Sequence, residues 1–254
     1  MRDVSFDDVR RDWVRLAEQD PLWAVYVAAD KRGGRWDPDQ FLATGRSDVA
    51  DAVSWLAELG VGPRWGRVLD FGCGAGRLTQ ALAGHADEVV GVDVAPAMLA
   101  TARSLSPPAN CRFVLNETSD LSAFESGGFD LVYSELVLQH LPAPVIETYL
   151  REFLRVLAPG GVALLQCTTR PLWTFKGVVW RVVPGPLVRL AQRRLLGYPA
   201  PMRMTRFGPA RVARVTGDAI LATRTVDDRA THWRSTRYVL RAPGRRPEGP
   251  PGGA

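Results

Sequence analysis

Three alternating glycines, Gly72, Gly74 and Gly76, stand in the stretch LDFGCGAG directly behind a short apolar run. Glycine at such positions permits a tight turn and lets a phosphate or nucleoside approach the main chain closely. A dinucleotide-binding fingerprint would need its third glycine at the position of Arg77, and the lysine and hydroxyl residue of a P-loop do not follow. The glycines therefore indicate either a nucleoside-like ligand or a tight turn between a strand and a helix without a ligand.

A carboxylate follows the next apolar run, EVVGVD, and ends it at Asp93. It lies ~20 residues after the first glycine, the interval at which dinucleotide folds place an acid on the ribose hydroxyls. Asp93 could instead cap the helix predicted for APAMLATARS. Because the glycine turn precedes it, we favour the ribose role.

A third group of polar residues ends another predicted strand, in the stretch YSELVLQHLP. These residues are Ser134, Glu135, Gln139 and His140. A neutral imidazole at such a position can take a proton from a substrate hydroxyl, or it can simply form part of a cavity wall. No cluster of carboxylates with metal-site spacing stands nearby, so the sequence predicts no metal site here.

The elements that must position these residues alternate in type from Arg67 onward. We predict strands at RVLDF, EVVGVD, CRFVLN, FDLVYS and GVALLQCT, with helices at GRLTQALAG, APAMLATARS and APVIETYLREFLRVL between them. Such alternation is typical of an α/β, doubly wound parallel sheet, whose ligand crevice lies at the carboxyl ends of the strands. Two later runs, AILATRTVDD and RSTRYVLRA, predict an antiparallel hairpin.

The 254 residues, 46% of them hydrophobic, suit one α/β domain with additions. Residues 1–60 read as an N-terminal helical extension, with a helix capped by Ser5 and another running from Ser47 to Gly60. Residues 61–243 form the predicted main domain, which carries an insertion at 170–205. The Pro- and Gly-rich tail, 244–254, is predicted to be disordered.

Positive charge is concentrated in and after the insertion, although the net charge of the whole chain is only +5. The stretch 170–214 contains basic residues and no acidic one. The basic residues are Arg170, Lys176, Arg181, Arg189, Arg193, Arg194, Arg203, Arg206, Arg211 and Arg214. This pattern suits an anionic acceptor or an anionic membrane surface, unless the arginines are merely solvated.

The cysteine content and the hydropathy of the chain indicate the cellular compartment. The three cysteines, Cys73, Cys111 and Cys167, are odd in number and widely spaced, so neither a disulfide framework nor a zinc site is indicated. The N-terminus has no apolar signal region, and no stretch approaches the ~20 apolar residues of a membrane span. The sequence therefore predicts a soluble cytoplasmic protein.

Four motifs in order, VLDFGCGAGRLT, VVGVDVAPAMLATAR, FDLVYSELVLQHLP and FLRVLAPGGVAL, give the chain a family resemblance over roughly residues 65–168. Together they resemble the class I S-adenosylmethionine-dependent methyltransferases. The resemblance implies a Rossmann-like methyltransferase fold, a mostly parallel sheet of seven strands in which the late hairpin supplies the sixth and seventh. It also implies S-adenosylmethionine as cofactor and S-adenosylhomocysteine as product.

The resemblance also implies roles for individual residues. The methionine end of the cofactor would lie over the glycine turn, the ribose on Asp93, and the amino group near Asp70, directly or through water. Near the adenine, Glu117 aligns with the family's acid that accepts from the adenine amino group, and Thr118 with the residue whose backbone N–H meets the ring. Because Asn116 replaces the family's usual glycine, Asn116, Glu117 and Asp120 stay alternatives for this contact. Met98 would pack either on the ring or in the core. The full predicted cofactor set is Asp70, Gly72, Gly74, Gly76, Asp93, Val94, Met98, Asn116, Glu117, Thr118, Ser134 and Glu135, with Asp120 as the alternative acid.

Methyl transfer to an alcohol or phenol needs positioning and a base, for which His140 is the candidate. The predicted acceptor contacts are Trp36, Phe41, Gln139, Trp173 and Phe175. The motifs that distinguish nucleic-acid base methyltransferases are missing, so we predict O-methylation of a small molecule, sugar or glycolipid.

The predicted partners are an anionic or glycosidic acceptor and, through segment 170–214, a membrane surface. Nucleic acid is disfavoured because no stacking platform is visible. Two alternatives stay open: an RNA methyltransferase, and a non-catalytic scaffold that only binds the cofactor.

Overall fold

The computed structural model describes residues 4–228 and 231–244 and contains a seven-stranded sheet. The strands are β1 (Trp65–Phe71), β2 (Ala86–Asp93), β3 (Cys111–Leu115), β4 (Phe129–Ser134), β5 (Leu157–Pro171), β6 (Ile220–Asp228) and β7 (Trp233–Arg241). Their order is β3-β2-β1-β4-β5-β7-β6. The first five run parallel, and β7 is antiparallel to both β5 and β6. The predicted doubly wound sheet with a terminal antiparallel hairpin is confirmed.

Nine α-helices accompany the sheet within the described ranges. They are α1 (Phe6–Gln19), α2 (Pro21–Val25), α3 (Pro38–Glu58), α4 (Arg77–Leu82), α5 (Pro96–Ser104), α6 (Ala143–Val156), α7 (Phe175–Val182), α8 (Gly185–Arg194) and α9 (Pro209–Thr216). The predicted cap of α1 is present, since the Ser5 hydroxyl accepts the Asp8 N–H and the Asp8 carboxylate accepts the Ser5 N–H. Part of the insertion is thus two short helices, α7 and α8.

Helix α3 is longer than the sequence pattern predicts. It begins at Pro38 rather than Ser47, because Asp37 accepts the Gln40 N–H at 2.9 Å and proline suits the first helical position. Gly45 stands in the middle of this helix because a Cβ there would lie 2.1 Å from the carbonyl oxygen of Arg77. The glycine therefore lets α3 pack directly on the start of α4.

The core lies on both faces of the sheet because successive strand residues point to opposite sides. On β1, Leu69 packs in the cluster that includes Phe153 of α6, whereas Val68 packs in the cluster that includes Trp55 of α3 and Leu82 of α4. These layers hold the carboxyl ends of β1, β2 and β4 at one edge, where Asp70 is in register with both Gly91 and Tyr133.

The remaining predictions about the chain's organisation concern its ends and its compartment. The predicted disordered tail lies outside the described residues from 245 on. Within the described residues, no helix is both long enough and apolar enough to cross a bilayer.

Candidate functional site

A cavity opens at the carboxyl ends of the parallel strands, and we call it the glycine cavity after the turn that forms its floor. Its walls include Gly72, Gly74, Asp93, Val94, Met98, Asn116, Glu135 and His140, which are eight of the residues predicted from the sequence. Helix α1 covers it with Phe6, Val9, Arg10 and Trp13. The N-terminal extension therefore forms one wall of this cavity.

Two of the three glycines are required by the cavity itself. Gly72 and Gly74 have φ of 74° and 52°. A Cβ on Gly72 would lie 2.4 Å from a methyl group of Val137, and a Cβ on Gly74 would lie 2.4 Å from a methyl group of Val25. Both valines line the cavity. Gly76 has a different role, since its added Cβ would press on Phe113 and Ala102 and the residue does not line the cavity. Gly76 therefore serves the packing at the start of α4.

Asp93 links the glycine turn to the residue that precedes α5. One carboxylate oxygen accepts the Gly74 N–H at 3.0 Å and the other accepts the Ala95 N–H at 2.9 Å, while α5 has no side-chain cap. Burial raises the pKa of Asp93, and the backbone N–H groups oppose that shift. Each oxygen keeps a further lone pair, so the carboxylate can still accept hydrogen bonds from a ligand.

The loop after β3 brings only part of the predicted adenine set to the cavity. Asn116 is buried and lines the cavity, and its amide donates to the Asp120 carbonyl at 3.0 Å. Glu117 and Thr118 do not line the cavity. Glu117 accepts instead from the guanidinium of Arg10 at 2.6 Å, which links α1 to this loop.

Two further predicted contacts lie beneath the cavity. Asp70 is 1% exposed and accepts from the Thr79 hydroxyl at 2.6 Å, and burial raises its pKa to about 6. Ser134 is equally buried. Neither side chain lines the cavity, so the structure does not bring these two predicted residues to its surface.

His140 is held in one tautomer. Its Nδ1 lies 2.7 Å from the carbonyl oxygen of Arg203, and because a carbonyl only accepts, Nδ1 carries the proton. Nε2 therefore has a free electron pair, toward which the Gln139 amide nitrogen points at 3.2 Å. Burial lowers the pKa of His140 to about 4. The imidazole is thus neutral near pH 7, with Nε2 unprotonated.

Other contacts fix the surroundings of His140. The Trp13 ring packs edge-on against the imidazole with centroids 4.9 Å apart, and Arg203 pairs with Asp12 of α1 at 2.9 Å. Glu135 is bound by the Tyr133 hydroxyl and by the Arg237 guanidinium, one on each carboxylate oxygen. The region around the histidine is therefore rigidly supported.

A second cavity lies beside the first, and we call it the insertion cavity because residues of the insertion 170–205 form much of its wall. It shares Val25, Glu135, Leu136 and His140 with the glycine cavity. The remaining walls include Tyr26, Asp48, Gln139, Gln166, Lys176, Trp180, Gln192, Tyr198, Met202, Met204, Asp228, His232, Trp233 and Arg237. The two cavities thus meet at the neutral imidazole.

Two polar atoms in residues of the insertion cavity lack hydrogen-bond partners among the described residues. They are the side-chain oxygen of Gln192 and the indole nitrogen of Trp233, both buried. One is an acceptor and the other a donor, and the Trp233 ring packs edge-on against Trp180 at 5.7 Å. Buried polar groups without partners are rare, and these two mark a place where a polar ligand could bind.

The acceptor contacts predicted from the sequence need correction. Gln139 lines the insertion cavity, but Trp36, Phe41, Trp173 and Phe175 line neither cavity. Phe41 is fully buried against Trp36, whereas Trp173 and Phe175 are 81% and 88% exposed. The structure therefore brings Gln139, but none of the four predicted aromatic residues, to a cavity.

Trp180 and Trp233 line the insertion cavity instead. Trp180 belongs to the insertion from which the sequence predicts aromatic contacts, but the sequence gives little sign of Trp233. Trp180 stands in an apolar helix and Trp233 begins a strand, contexts in which tryptophan usually serves the core.

Comparison with known proteins finds a family match for the central part of the chain. Residues 68–161 match the family profile described as "Methyltransferase domain". A ubiquinone biosynthesis O-methyltransferase of Xanthomonas campestris pv. campestris (strain B100) is 35% identical over 106 residues, which are 41% of this chain and 44% of that protein. The same-named protein of Xanthomonas oryzae pv. oryzae (strain PXO99A) is 34% identical over a stretch with the same coverage. The chain thus spans less than half of the length of these curated relatives.

Solved structures extend the similarity of fold to almost the whole chain. The magnesium protoporphyrin IX methyltransferase of Synechocystis PCC 6803, solved with bound S-adenosylhomocysteine, has a TM-score of 0.63 at 20% identity and covers 94% of this chain and 100% of its own. The N-methyltransferase NodS of Bradyrhizobium japonicum WM9, in complex with the same molecule, has a TM-score of 0.58 at 18% identity, covering 93% and 100%. With the strand order, these matches show that the chain has the fold of these methyltransferases, and that its residues 68–161 correspond to a methyltransferase domain.

Proposed function

We propose that this protein transfers the methyl group of S-adenosylmethionine to an oxygen atom of a small-molecule acceptor. The observation that carries the proposal is the meeting of two cavities at one neutral histidine. The glycine cavity would hold the cofactor and the insertion cavity the acceptor. His140 would stand between the two reactants.

The residues of the glycine cavity fit this cofactor. The close backbone approach at Gly72 and Gly74 leaves room that any side chain would fill, and the free lone pairs of Asp93 suit the two ribose hydroxyls. Met98 supplies an apolar surface for the adenine, and the buried Asn116 an amide at its edge. When bound, the cofactor supplies an electrophilic methyl group on a positively charged sulfur.

On the acceptor side, His140 would act as general base. Its Nε2 would take the proton of the acceptor hydroxyl while the new oxygen–carbon bond forms and the old carbon–sulfur bond breaks with its electron pair left on sulfur. The acceptor hydroxyl must first replace the Gln139 amide, which points at Nε2 at 3.2 Å. Trp13 and the Arg203 carbonyl would keep the imidazole oriented during this step.

The charges of the insertion cavity favour an acceptor with an anionic group. The acids in its wall already have partners: Asp48 pairs with Arg77, Glu135 with Arg237, and Asp228 accepts from Thr231. Lys176, in contrast, makes no ion pair with any other residue that the structure describes.

The aromatic rings of Trp180 and Trp233 and the free polar atoms beside them would equally suit a glycoside. We therefore propose an anionic or glycosidic small molecule. The curated relatives support oxygen as the methylated atom, since both carry the name O-methyltransferase.

The proposal is tested by incubating the protein with isotopically labelled S-adenosylmethionine and a panel of carboxylated phenols, glycosides and bulk transfer RNA. We expect mass spectrometry to find the label on the oxygen of a small molecule, and His140→Ala to lose most of the product while still binding the cofactor. Label in RNA that is lost steeply with added salt would favour the RNA alternative. Cofactor binding without turnover on any acceptor would favour the scaffold alternative.

A further inference from the structure

Helix α7 exposes its apolar side, which a surface helix normally packs against the core. Phe175, Val178, Val179 and Val182 recur at the i, i+3, i+4, i+7 spacing of an apolar stripe, and all four are exposed. Trp173, just before the helix, is exposed as well and lies against the guanidinium of Arg181 at 4.2 Å. A stripe of this kind in water is unfavourable unless another surface covers it.

Helix α8 and the residues that follow continue this inverted pattern. Leu187, Leu190, Leu195 and Leu196 are more than half exposed, whereas the polar Gln192 of the same segment is buried. The exposed apolar residues of 173–196 outnumber all other large exposed hydrophobics of the described residues, which are Val27, Leu115 and Leu221. We call the exposed apolar side chains of residues 173–196 the hairpin face, after the pair of helices α7 and α8, and not after the β6–β7 hairpin.

Cations surround the hairpin face and acids are missing from it. Lys176, Arg193 and Arg194 are exposed and have no ion pair with other described residues. The stretch 170–214 contains no Asp or Glu at all. Aromatic and aliphatic side chains beside Lys and Arg are the composition of helices that lie in the interface of an anionic bilayer.

We propose that the hairpin face docks on the surface of an anionic lipid bilayer. Apolar side chains would enter the boundary between headgroups and acyl chains, and the cations would contact the lipid phosphates. A second copy of the chain is a poor occupant, because a two-fold contact would place the same unpaired cations of both copies against each other.

Docking would have a consequence for the site already described. Lys176 and Trp180 belong to α7 and line the insertion cavity. The docked helix would therefore hold that cavity next to the bilayer. The membrane contact itself does not depend on the proposed methyl transfer, because it needs neither cofactor nor acceptor.

The test is flotation of the full chain with vesicles of phosphatidylcholine alone or mixed with phosphatidylglycerol, at low and high salt. We expect binding to the anionic vesicles only, weakened by salt. The double variant Trp173→Ser, Phe175→Ser should partition ~10-fold or more weakly, because two exposed rings no longer enter the bilayer. Arg193→Gln and Arg194→Gln should each weaken binding by roughly five-fold at low salt.

Matched controls lie outside the hairpin face. Leu221→Ser removes an exposed leucine of β6 and Arg112→Gln an exposed arginine of β3, and neither should alter vesicle binding. The proposal is overturned if the wild type does not float with anionic vesicles at low salt, or if the double variant binds as the wild type does. Self-association that disappears in the double variant, without vesicle binding, would assign the face to a second copy and also overturn it.

Discussion

The glycine cavity and the insertion cavity share one wall but are built from different parts of the chain. Most of the glycine cavity comes from the ends of β1, β2 and β4 and the turns after them, within the residues that match the methyltransferase profile. The insertion cavity takes its distinctive residues, Lys176, Trp180, Gln192, His232 and Trp233, from outside that range.

The two cavities also differ in how their polar groups are satisfied. Asp93, on the cofactor side, is held by two backbone N–H groups, whereas Gln192 and Trp233 each keep a buried polar atom without a partner among the described residues. The difference supports the proposal that the core which matches the profile binds the cofactor, while the additions bind the acceptor.

The shared wall should be the most sensitive point. His140→Ala should lower kcat by ~10²-fold or more with little change in cofactor affinity, because the variant removes the base and leaves the glycine turn intact. The wild-type rate should fall only as the pH approaches about 4. Burial lowers the pKa of His140 to about 4, and protonation then removes the Nε2 electron pair. Single-turnover rates against pH measure both effects. A small loss in kcat, accompanied by weaker cofactor binding, would reduce His140 to a wall residue.

The next largest effect should be confined to the cofactor side. Asp93→Ala should weaken cofactor binding by ~10²-fold, because the carboxylate accepts the Gly74 N–H and, in the proposed complex, would also accept the ribose hydroxyls. Calorimetry and circular dichroism should show the loss of affinity with the fold retained. Asp87→Ala is the matched control, an exposed acid of the same strand whose one ion pair among the described residues is with Arg64. Equal affinities of the two variants would refute the role given to Asp93.

A smaller effect should appear on the acceptor side alone. Lys176→Gln should raise KM for an anionic acceptor by about five- to ten-fold, with the cofactor Kd unchanged, since the lysine lines only the insertion cavity. Lys31→Gln is the control, because Lys31 is the other lysine of the chain and packs on Trp36 away from both cavities. A change in cofactor affinity for Lys176→Gln would show that the two cavities are not separate in function.

The smallest effect should be at Glu117. Its carboxylate pairs with Arg10 at a partly exposed position and does not line the cavity, so Glu117→Gln should change cofactor Kd by no more than about three-fold. Calorimetric titration of the variant decides the point. A ten-fold or larger loss of cofactor affinity would support the adenine contact that the sequence predicts for Glu117.

The sequence predicted the glycine cavity better than the insertion cavity. The strands, the glycine turn and the positions of Asp93 and His140 were readable because local patterns determine them: apolar runs, glycines with positive φ, and polar residues at strand ends. The helix α3 boundary was missed because the cap at Asp37 stands inside a stretch that reads as a loop.

The acceptor side was predicted least well. Its walls bring together residues as far apart in the chain as Tyr26, Trp180 and Trp233, and only the tertiary packing decides which tryptophan lines the cavity. Asp70 and Glu117 illustrate the same limit on the cofactor side, since Thr79 and Arg10 bind them in the fold. A motif fixes the position of such a residue in the chain but not its partner.

The central claim is that the glycine cavity holds S-adenosylmethionine. The most direct measurement is calorimetric titration of the wild-type protein with S-adenosylmethionine, S-adenosylhomocysteine and NAD in parallel, supported by thermal shift because a ligand of the native state raises its stability. We predict micromolar binding of the first two and none of NAD. Binding of NAD, or of none of the three, would contradict the account.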